Sequence, residues 1–445
     1  MAKNESVVFV CKSCGNEFPK WMGQCPTCHE WNTIVEATGL AKNSKTGRQG
    51  NRQSRIVKSI GLTEIGAKTL PRKSTGVKEL DNVLGGGMVA GQVILLTGEP
   101  GIGKSTLLLQ VATAKIQGNG SVLYVCGEES PEQIALRAKR LQVGTGGIQG
   151  SVILLPSTDV DVAVEAIEKG EFDIVVVDSI QMMTASEATG IAGSPSQVRE
   201  SAMRLLTCAK EKGVAMFMVG HVTKDGDIAG PRILEHMVDT VLWFEGERSR
   251  ALRMVRTIKN RFGSTDEVGV FRMTASGLVE VLNPSEYLLE ERVKKVPGSV
   301  VSVVMEGTRP LLVEVQALTV PTQLPIPRRV ATGVDFNRLQ MLVAILTKKA
   351  NLNLSATDVF VNVVGGFKVT DPGLDLAVSL AIASAYRDKP MADNVAAVGE
   401  VGLMGEVRKV ADLEKRIKEA KKLGYKVASA ESGKMVGEAV KRLIA

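Results

Sequence analysis

No apolar run in this chain approaches the roughly 18 to 20 residues needed to cross a bilayer. The opening residues MAKNESVVFV have neither the charged start, the long apolar stretch nor the cleavage site of an export signal, so a cytoplasmic protein without membrane contact is expected. Cysteine is scarce, six in 445 residues. In that compartment the six read as metal ligands or reduced thiols in preference to disulfides. Acid is missing altogether between Glu36 and Glu64, where Lys42, Lys45, Arg48, Arg52, Arg55 and Lys58 accumulate among Gly, Ser, Asn and Gln. A segment of that composition either tracks a phosphate backbone or serves as a soluble tether. The net charge of +7 is too modest for this length to decide between them. An apolar fraction of 44% is ordinary for a globular protein. At about 150 residues per domain, the length predicts about three domains or two with a small module.

The most informative stretch is Gly98-Glu99-Pro100-Gly101-Ile102-Gly103-Lys104-Ser105-Thr106, directly after the apolar run Val93 to Thr97. It fits GxxxxGK(S/T) between a predicted strand and a predicted helix, Ser105 to Lys115. Its glycines let successive backbone N–H groups curl round phosphates, and the helix N-terminus adds partial positive charge. Lys104 is expected to reach the β- and γ-phosphates of ATP, and the Ser105 hydroxyl to ligate Mg²⁺.

Upstream, Cys11, Cys14, Cys25 and Cys28 form two CxxC pairs separated by ten residues. Four thiolates at this spacing describe a closed tetrahedral Zn²⁺ site, structural because no coordination position is left for chemistry. A module this poor in apolar residues is expected to fold only with its metal, whose binding supplies on the order of 10 kcal/mol. Trp21 and Trp31 either cap the knuckles as a small core, the reading favoured for at least one of them, or present a face to bases or a protein partner. His29 is expected at the surface, unneeded as a ligand.

From about residue 60 to 285, short apolar runs alternate with helical patterns: after the strand before the P-loop come Ser121–Cys126, Ser151–Leu155, Phe172–Asp178 and Val214–His221. This predicts a mostly parallel sheet with ligands at the carboxyl ends of its strands. Asp178 closes one such strand in the Walker B pattern and is expected to hold Mg²⁺ directly or through water. Glu128 ends the strand after the P-loop helix, placed to polarise the attacking water. Glu129 is its rival, with the alternative task of favouring the N-terminus of the helix starting at Pro131. His221 either senses the γ-phosphate or is a satisfied core histidine. Two long loops, Met182 to Ser196 and Thr223 to Pro231, are either DNA-contacting or plain surface loops. Lys259 and Arg261, in Lys259-Asn260-Arg261-Phe262-Gly263, share a face after a strand predicted over Met254–Ile258, and neither has an acidic neighbour in sequence. They are expected to complete a nucleotide site on a neighbouring subunit, as arginine fingers do.

The zinc motif, GEPGIGKST, the run Gly127-Glu128-Glu129-Ser130, the Walker B strand and above all KNRFG, in this order, resemble the bacterial RadA (Sms) family of recombination and repair ATPases over the whole chain. The resemblance implies a zinc ribbon at 1–35, a basic linker at 36–59, a RecA- and DnaB-like P-loop ATPase at 60–285 and a Lon-protease-like α/β domain at 290–445. It also implies Glu128 as the catalytic glutamate, DNA-binding roles for the two loops, and Lys259 and Arg261 as trans-acting cations of a homo-oligomeric, hexameric ring. The implied activity is ATP-driven movement on single-stranded DNA and branch migration of recombination intermediates with the RecA recombinase.

For the C-terminal part the predicted order is strands Val300–Met305 and Leu311–Ala317, helix Phe336–Lys349, strand Val359–Val364, helix Gly373–Arg387, strands Val395–Gly399 and Val401–Val410, and a basic helix Leu413–Leu423. Lon uses a Ser–Lys dyad, and both members are missing: Leu374 stands at the nucleophile in Asp371-Pro372-Gly373-Leu374, and Glu414 at the lysine in Ala411-Asp412-Leu413-Glu414-Lys415-Arg416. Ser379 lies more than a turn further on. A retained fold without peptidase chemistry is expected, leaving an ATP-dependent protease or a nucleotide-switched scaffold as the alternatives to a motor. Arg408, Lys409, Lys415, Arg416, Lys418, Lys421 and Lys422 are expected to form a cationic surface, with Lys415, Lys418 and Lys422 on one stripe. That stripe is either a duplex contact and assembly surface or a solvated face.

Overall fold

The computed structural model describes residues 8–11, 17–18, 20–37, 70–141, 151–221, 230–246, 251–366, 368–431 and 433–444. Cys14, the cations of the basic linker and the loop at 222–229 lie outside the described residues.

The N-terminal module is a three-stranded antiparallel sheet, β1 (Val8–Cys11) between β2 (Glu17–Phe18) and β3 (Ile34–Ala37). Its small core holds Cys11, Cys25 and Ile34, with Phe9, Phe18, Met22 and Cys28 packed against them. Trp21 and Trp31 are 56% and 69% exposed, which corrects the expectation that at least one belongs to that core.

A short ribbon, β4 (Arg72–Lys73) with β5 (Met88–Val89), encloses helix α1 (Lys78–Val83) and leads into the central sheet. That sheet is built from β6 (Val93–Gly98), α2 (Lys104–Gln117), β7 (Ser121–Cys126), α3 (Pro131–Arg140), β8 (Ser151–Leu155), α4 (Val160–Lys169), β9 (Ile174–Asp178), α5 (Pro195–Lys212), β10 (Ala215–His221), α6 (Gly230–Met237) and four closing strands. These are β11 (Thr240–Glu245), β12 (Leu252–Asn260), β13 (Val268–Thr274) and β14 (Gly277–Glu280). Spatial order is β14-β13-β12-β11-β6-β10-β9-β7-β8. The strands from β11 to β8 run parallel, and β11 through β14 are antiparallel. β6 and β9 are buried along their whole length, the pattern of parallel strands covered on both faces. Alternation assigns the faces: Ile94 and Leu96 pack with α2, while Val93 and Leu95 pack with α4 and α5.

After α7 (Pro284–Leu289) a second sheet begins with β15 (Ser299–Glu306), β16 (Arg309–Pro321) and β17 (Arg329–Thr332). Next come α8 (Phe336–Lys349), β18 (Thr357–Val363), α9 (Asp375–Arg387), β19 (Val395–Ala397), β20 (Glu400–Val401) and β21 (Val407–Arg408). The chain closes with α10 (Leu413–Lys422), β22 (Lys426–Ala428) and α11 (Val436–Leu443). Its six-stranded order is β17-β18-β16-β15-β19-β22. Val300 and Val304 face α8 and α9, and Val301 and Val303 face the α10 side. The strand predicted at Val401–Val410 is instead the hairpin β20–β21, turned at Gly402–Gly405, where Gly405 adopts φ +86°.

Arg416 corrects another expectation. It is 2% exposed, not surface, and its guanidinium donates to the Val303 carbonyl (2.7 Å) and to Asp371 (2.6 Å). Asp371 also accepts from the backbone N–H groups of Met305 (2.6 Å) and Gly373 (2.8 Å), so the buried carboxylate is fully engaged. On the same helix Lys415 and Lys422 pair with Asp412 and Glu419, leaving Lys418 and Lys421 as its exposed cations with no ion pair among the described residues. The central sheet meets the second one through buried charge. Arg256 joins Glu245 to Glu306 (2.5 Å to Glu306), Arg309 reaches Glu79 (2.6 Å), and Leu252, Met254, Val268 and Val270 enter the C-terminal core.

Candidate active site and the cations beyond it

The loop Gly98–Thr106 leaves the buried end of β6 and enters α2. A Cβ at Gly98 would collide with the Phe244 carbonyl oxygen of the neighbouring strand, and Gly103 holds φ +119°, so both positions need glycine. Lys104 is 3% exposed, and its ammonium donates to the Gly98 (2.9 Å) and Glu99 (3.0 Å) carbonyls. Burial pulls its pKa down to about 8, against the opposing pull of Asp178 and Glu128.

The carboxyl ends of β7, β9 and β10 supply the rest. Glu128, Asp178 and His221 each offer a ligand atom within 4.8 Å of the others, with His221 Nε2 3.0 Å from Glu128 Oε2. Buried Tyr124 donates its hydroxyl to Asp178 Oδ2 at 2.6 Å, and burial and that carboxylate push the phenol well above its ordinary pKa. Ser130 caps α3 in a capping box with Gln133, so the expected helix-start task does not fall to Glu129, which pairs with Arg137. Arg137 and Arg140 line the same cleft of about 260 Å³ as Gly101, Gly103 to Thr106, Glu128, Asp178 and His221. From behind, Arg253 donates to the Ile102 carbonyl at 3.3 Å.

Larger cavities of about 880 and 560 Å³, on the C-terminal domain and at its junction with the central sheet, hold no comparable set of groups. The P-loop cleft is the chemically equipped one. Six buried side-chain polar atoms lack a partner among the described residues, and four belong to Thr97, Glu129, Gln181 and His221, clustered at these strand ends. Orphan polar atoms in one place are what a polar ligand and its metal would satisfy. The oxygen donors of Ser105 and Asp178, both lining this cleft, fit Mg²⁺, which when bound neutralises phosphate charge.

The loop Met182–Ser196 is partly packed. Met183 and Ala185 are buried, and Gln197 ties the loop down through Ala185 and Ala188, leaving Ile191, 83% exposed, near its tip. Thr223–Pro231 falls mainly outside the described residues.

Lys259 and Arg261 are not at this cleft. Asn260 pairs with Thr240 and Thr240 with Ile94, while Asp239 N–H donates to Val93 and Arg261 N–H to Asp239. Arg261 is thus level with Val93, the far end of β6 from Gly98, about 17 Å away at about 3.3 Å per residue. Lys259 donates to the carbonyls of Glu235 (2.7 Å), His236 (3.3 Å) and Val238 (2.8 Å), capping the C-terminal end of α6. Arg261 has an acidic neighbour after all, Asp239 at 3.7 Å, yet its side chain is 54% exposed. Asn260 knits the loop, accepting from Phe262 N–H (3.0 Å) and Thr240 Oγ1 (3.2 Å), and Arg72 donates to the Phe262 carbonyl.

In the zinc ribbon, Cys11, Cys25 and Cys28 converge within 4.8 Å, with Cys11 and Cys28 Sγ 3.7 Å apart. Four sulfurs at Zn–S distances of about 2.3 Å stand about 3.8 Å apart in a tetrahedron, so the three described thiols fit zinc.

The chain is 49% identical over 427 residues to the DNA repair protein RadA of Listeria monocytogenes, covering 96% of this chain and 92% of that protein. It belongs to the RadA DNA repair protein family. RadA of Bacillus subtilis is likewise 49% identical over 429 residues (96% and 92% covered), and that of a Streptococcus pyogenes M6 strain 47% over 439 residues (98% and 95%). Residues 71–227 match the AAA domain family, residues 9–36 the rubredoxin metal binding domain and residues 329–430 subunit ChlI of Mg-chelatase. Among solved structures an isolated ATPase domain aligns at TM-score 0.41 and 14% identity, over 49% of this chain and 94% of that one. The RadA architecture here is therefore a zinc ribbon, a RecA-like P-loop ATPase domain and a Lon-like α/β domain, with ATP, Mg²⁺ and Zn²⁺ as its cofactors. No described helix is long and apolar enough to cross a membrane.

Sequence reasoning passed over Tyr124, Arg137, Arg140 and Arg253. For Tyr124 a signal existed: a hydroxyl inside an otherwise aliphatic strand that runs beside the Walker B strand.

Proposed function

We propose that this chain is an ATP-driven DNA motor of the cytoplasm, working as a homo-oligomeric, hexameric ring whose nucleotide sites are completed by the neighbouring subunit. Gly98 to Thr106 cradle the triphosphate. Lys104 binds its outer phosphates, and Ser105 and Asp178 hold Mg²⁺. Glu128, steadied by His221, orients the attacking water. Arg261 reaches the nucleotide of the next subunit, and Lys259 joins it by leaving the carbonyls of α6. The work done is movement on single-stranded DNA and branch migration of recombination intermediates with the RecA recombinase. Functional boundaries follow the zinc ribbon at 1–35, the linker at 36–59, the ATPase at 60–285 and the Lon-like domain at 290–445.

One observation carries this reading: the exposed Arg261 stands at the end of the sheet opposite the cleft that holds Glu128, Lys104 and Asp178. Such a cation can serve a nucleotide only across a subunit boundary. A peptidase is disfavoured, because buried Leu374 and exposed Glu414 occupy the dyad positions and Arg416 ties up Asp371.

The test is steady-state ATP hydrolysis with and without single-stranded DNA at about 50 and 200 mM salt, where phosphate contacts weaken steeply. Stimulation that declines with salt is expected. No stimulation at either salt would overturn the motor and leave a nucleotide-switched scaffold.

A further inference from the structure

Tryptophan is rarely left exposed by a module with so small a core, yet both tryptophans of the zinc ribbon face outward. The ribbon core closes without them. The Trp21 ring and the Trp31 backbone are both held. Trp21 Nε1 donates to the Ile34 carbonyl at 2.9 Å, and the Trp31 backbone is held by an antiparallel bridge to Gln24. Gly23 lies between the two: a Cβ there would stand 3.8 Å from an atom of each indole. Two exposed aromatic rings, that of Trp21 fixed by its hydrogen bond, therefore border one glycine-floored notch open to solvent, with exposed Lys20 next to Trp21 in sequence.

We propose that this notch binds the bases of single-stranded nucleic acid by stacking. Every base has a π face, so aromatic platforms grip single strands without reading sequence. Charge selects the occupant. The sequence between Glu36 and Glu64 carries six cations and no acid, a composition suited to a polyanion and unneeded by an apolar protein surface. The inference rests on the single-strand-binding motor proposed above and gives that motor a second DNA contact, one remote in sequence from the ATPase loops.

The experiment follows intrinsic tryptophan emission of the full-length, zinc-loaded protein during titration with oligo-dT, beside anisotropy of a labelled oligo-dT. Trp243, the remaining tryptophan, sits in β11 and supplies a constant background. Emission is expected to be quenched with the midpoint seen by anisotropy. Trp21→Ala with Trp31→Ala is expected to abolish the quench and weaken binding about 30-fold or more, about fivefold or more for each stacking residue lost, with DNA-independent ATP hydrolysis unchanged. Gly23→Leu, which fills the notch while keeping both rings, is expected to weaken binding equally, and the zinc content of each variant reports whether the ribbon is intact. Binding by the wild type without any change in emission, or unaltered affinity in zinc-loaded variants, would overturn the proposal and assign the notch to a protein surface. Failure of the wild type to bind oligo-dT at all would overturn the motor as well, so the two readings fail differently.

Discussion

Lys104 is held in a cleft that disfavours its charge. Burial lowers its pKa from 10.5 to about 8, so it is protonated below that pH and neutral above it. A bound triphosphate favours the ammonium, hence nucleotide binding takes up a proton once the pH exceeds about 8. Affinity for a fluorescent ATP analogue is expected to stay level below pH 8 and to fall above it, by up to about tenfold per unit. Lys104→Arg, charged throughout, is expected to show no such fall. The same shift has a folding consequence of fixed sign. Between about 8 and 10.5 the unfolded chain holds this proton more tightly than the folded one, so stability lost to burying the lysine returns as pH rises through that window.

Tyr124 acts one step further from the chemistry. Its hydroxyl occupies Asp178 Oδ2 and so fixes which oxygen of that carboxylate is left for the Mg²⁺ that we propose it holds. Tyr124→Phe keeps the ring and leaves a buried carboxylate oxygen short of a donor, an effect of about 1 to 3 kcal/mol. The variant is expected to fold and to need several-fold more Mg²⁺ for half-maximal ATP hydrolysis. An unchanged Mg²⁺ titration would reduce Tyr124 to packing.

At the scale of elements, the chain announces whatever rests on local pattern. β7 and β8 fall at their expected bounds, as does α8, because apolar period and flanking turns decide them before any long-range contact forms. The zinc knuckles and the P-loop are equally legible, since fixed spacing is itself the chemistry. What stays hidden depends on partners far away in sequence. Arg416 reads as one more cation on a basic helix until β15 and Asp371 are brought under it, 45 residues apart in sequence for the pair. At least one of Trp21 and Trp31 reads as core because tryptophan usually is, whereas Phe9, Phe18 and Ile34 already fill that space. The expected strand at Val401–Val410 fails on two glycines, Gly402 and Gly405, which turn the chain back on itself. Lys259 looks free in a sequence that cannot show α6 ending beside it.

The ATPase and C-terminal domains are held together as a relay. β12 touches the P-loop through Arg253 and the C-terminal domain through Arg256 and Glu306, with α1 tied to the same domain by Glu79 and Arg309. Nucleotide cleft and C-terminal domain therefore share one strand, while Arg261 follows the other end of that strand. Shared active sites between subunits are the central claim, and co-expression of Lys104→Ala with Arg261→Ala tests it most directly. Each variant alone is expected to lose about 10³-fold or more in hydrolysis, the scale of a missing arginine finger. Mixed assemblies pair an intact P-loop with an intact Arg261 at about a quarter of the interfaces, by random placement round a closed ring. Recovery to a comparable fraction of wild-type turnover is the predicted result. Mixed assemblies as inactive as either variant alone would contradict the account.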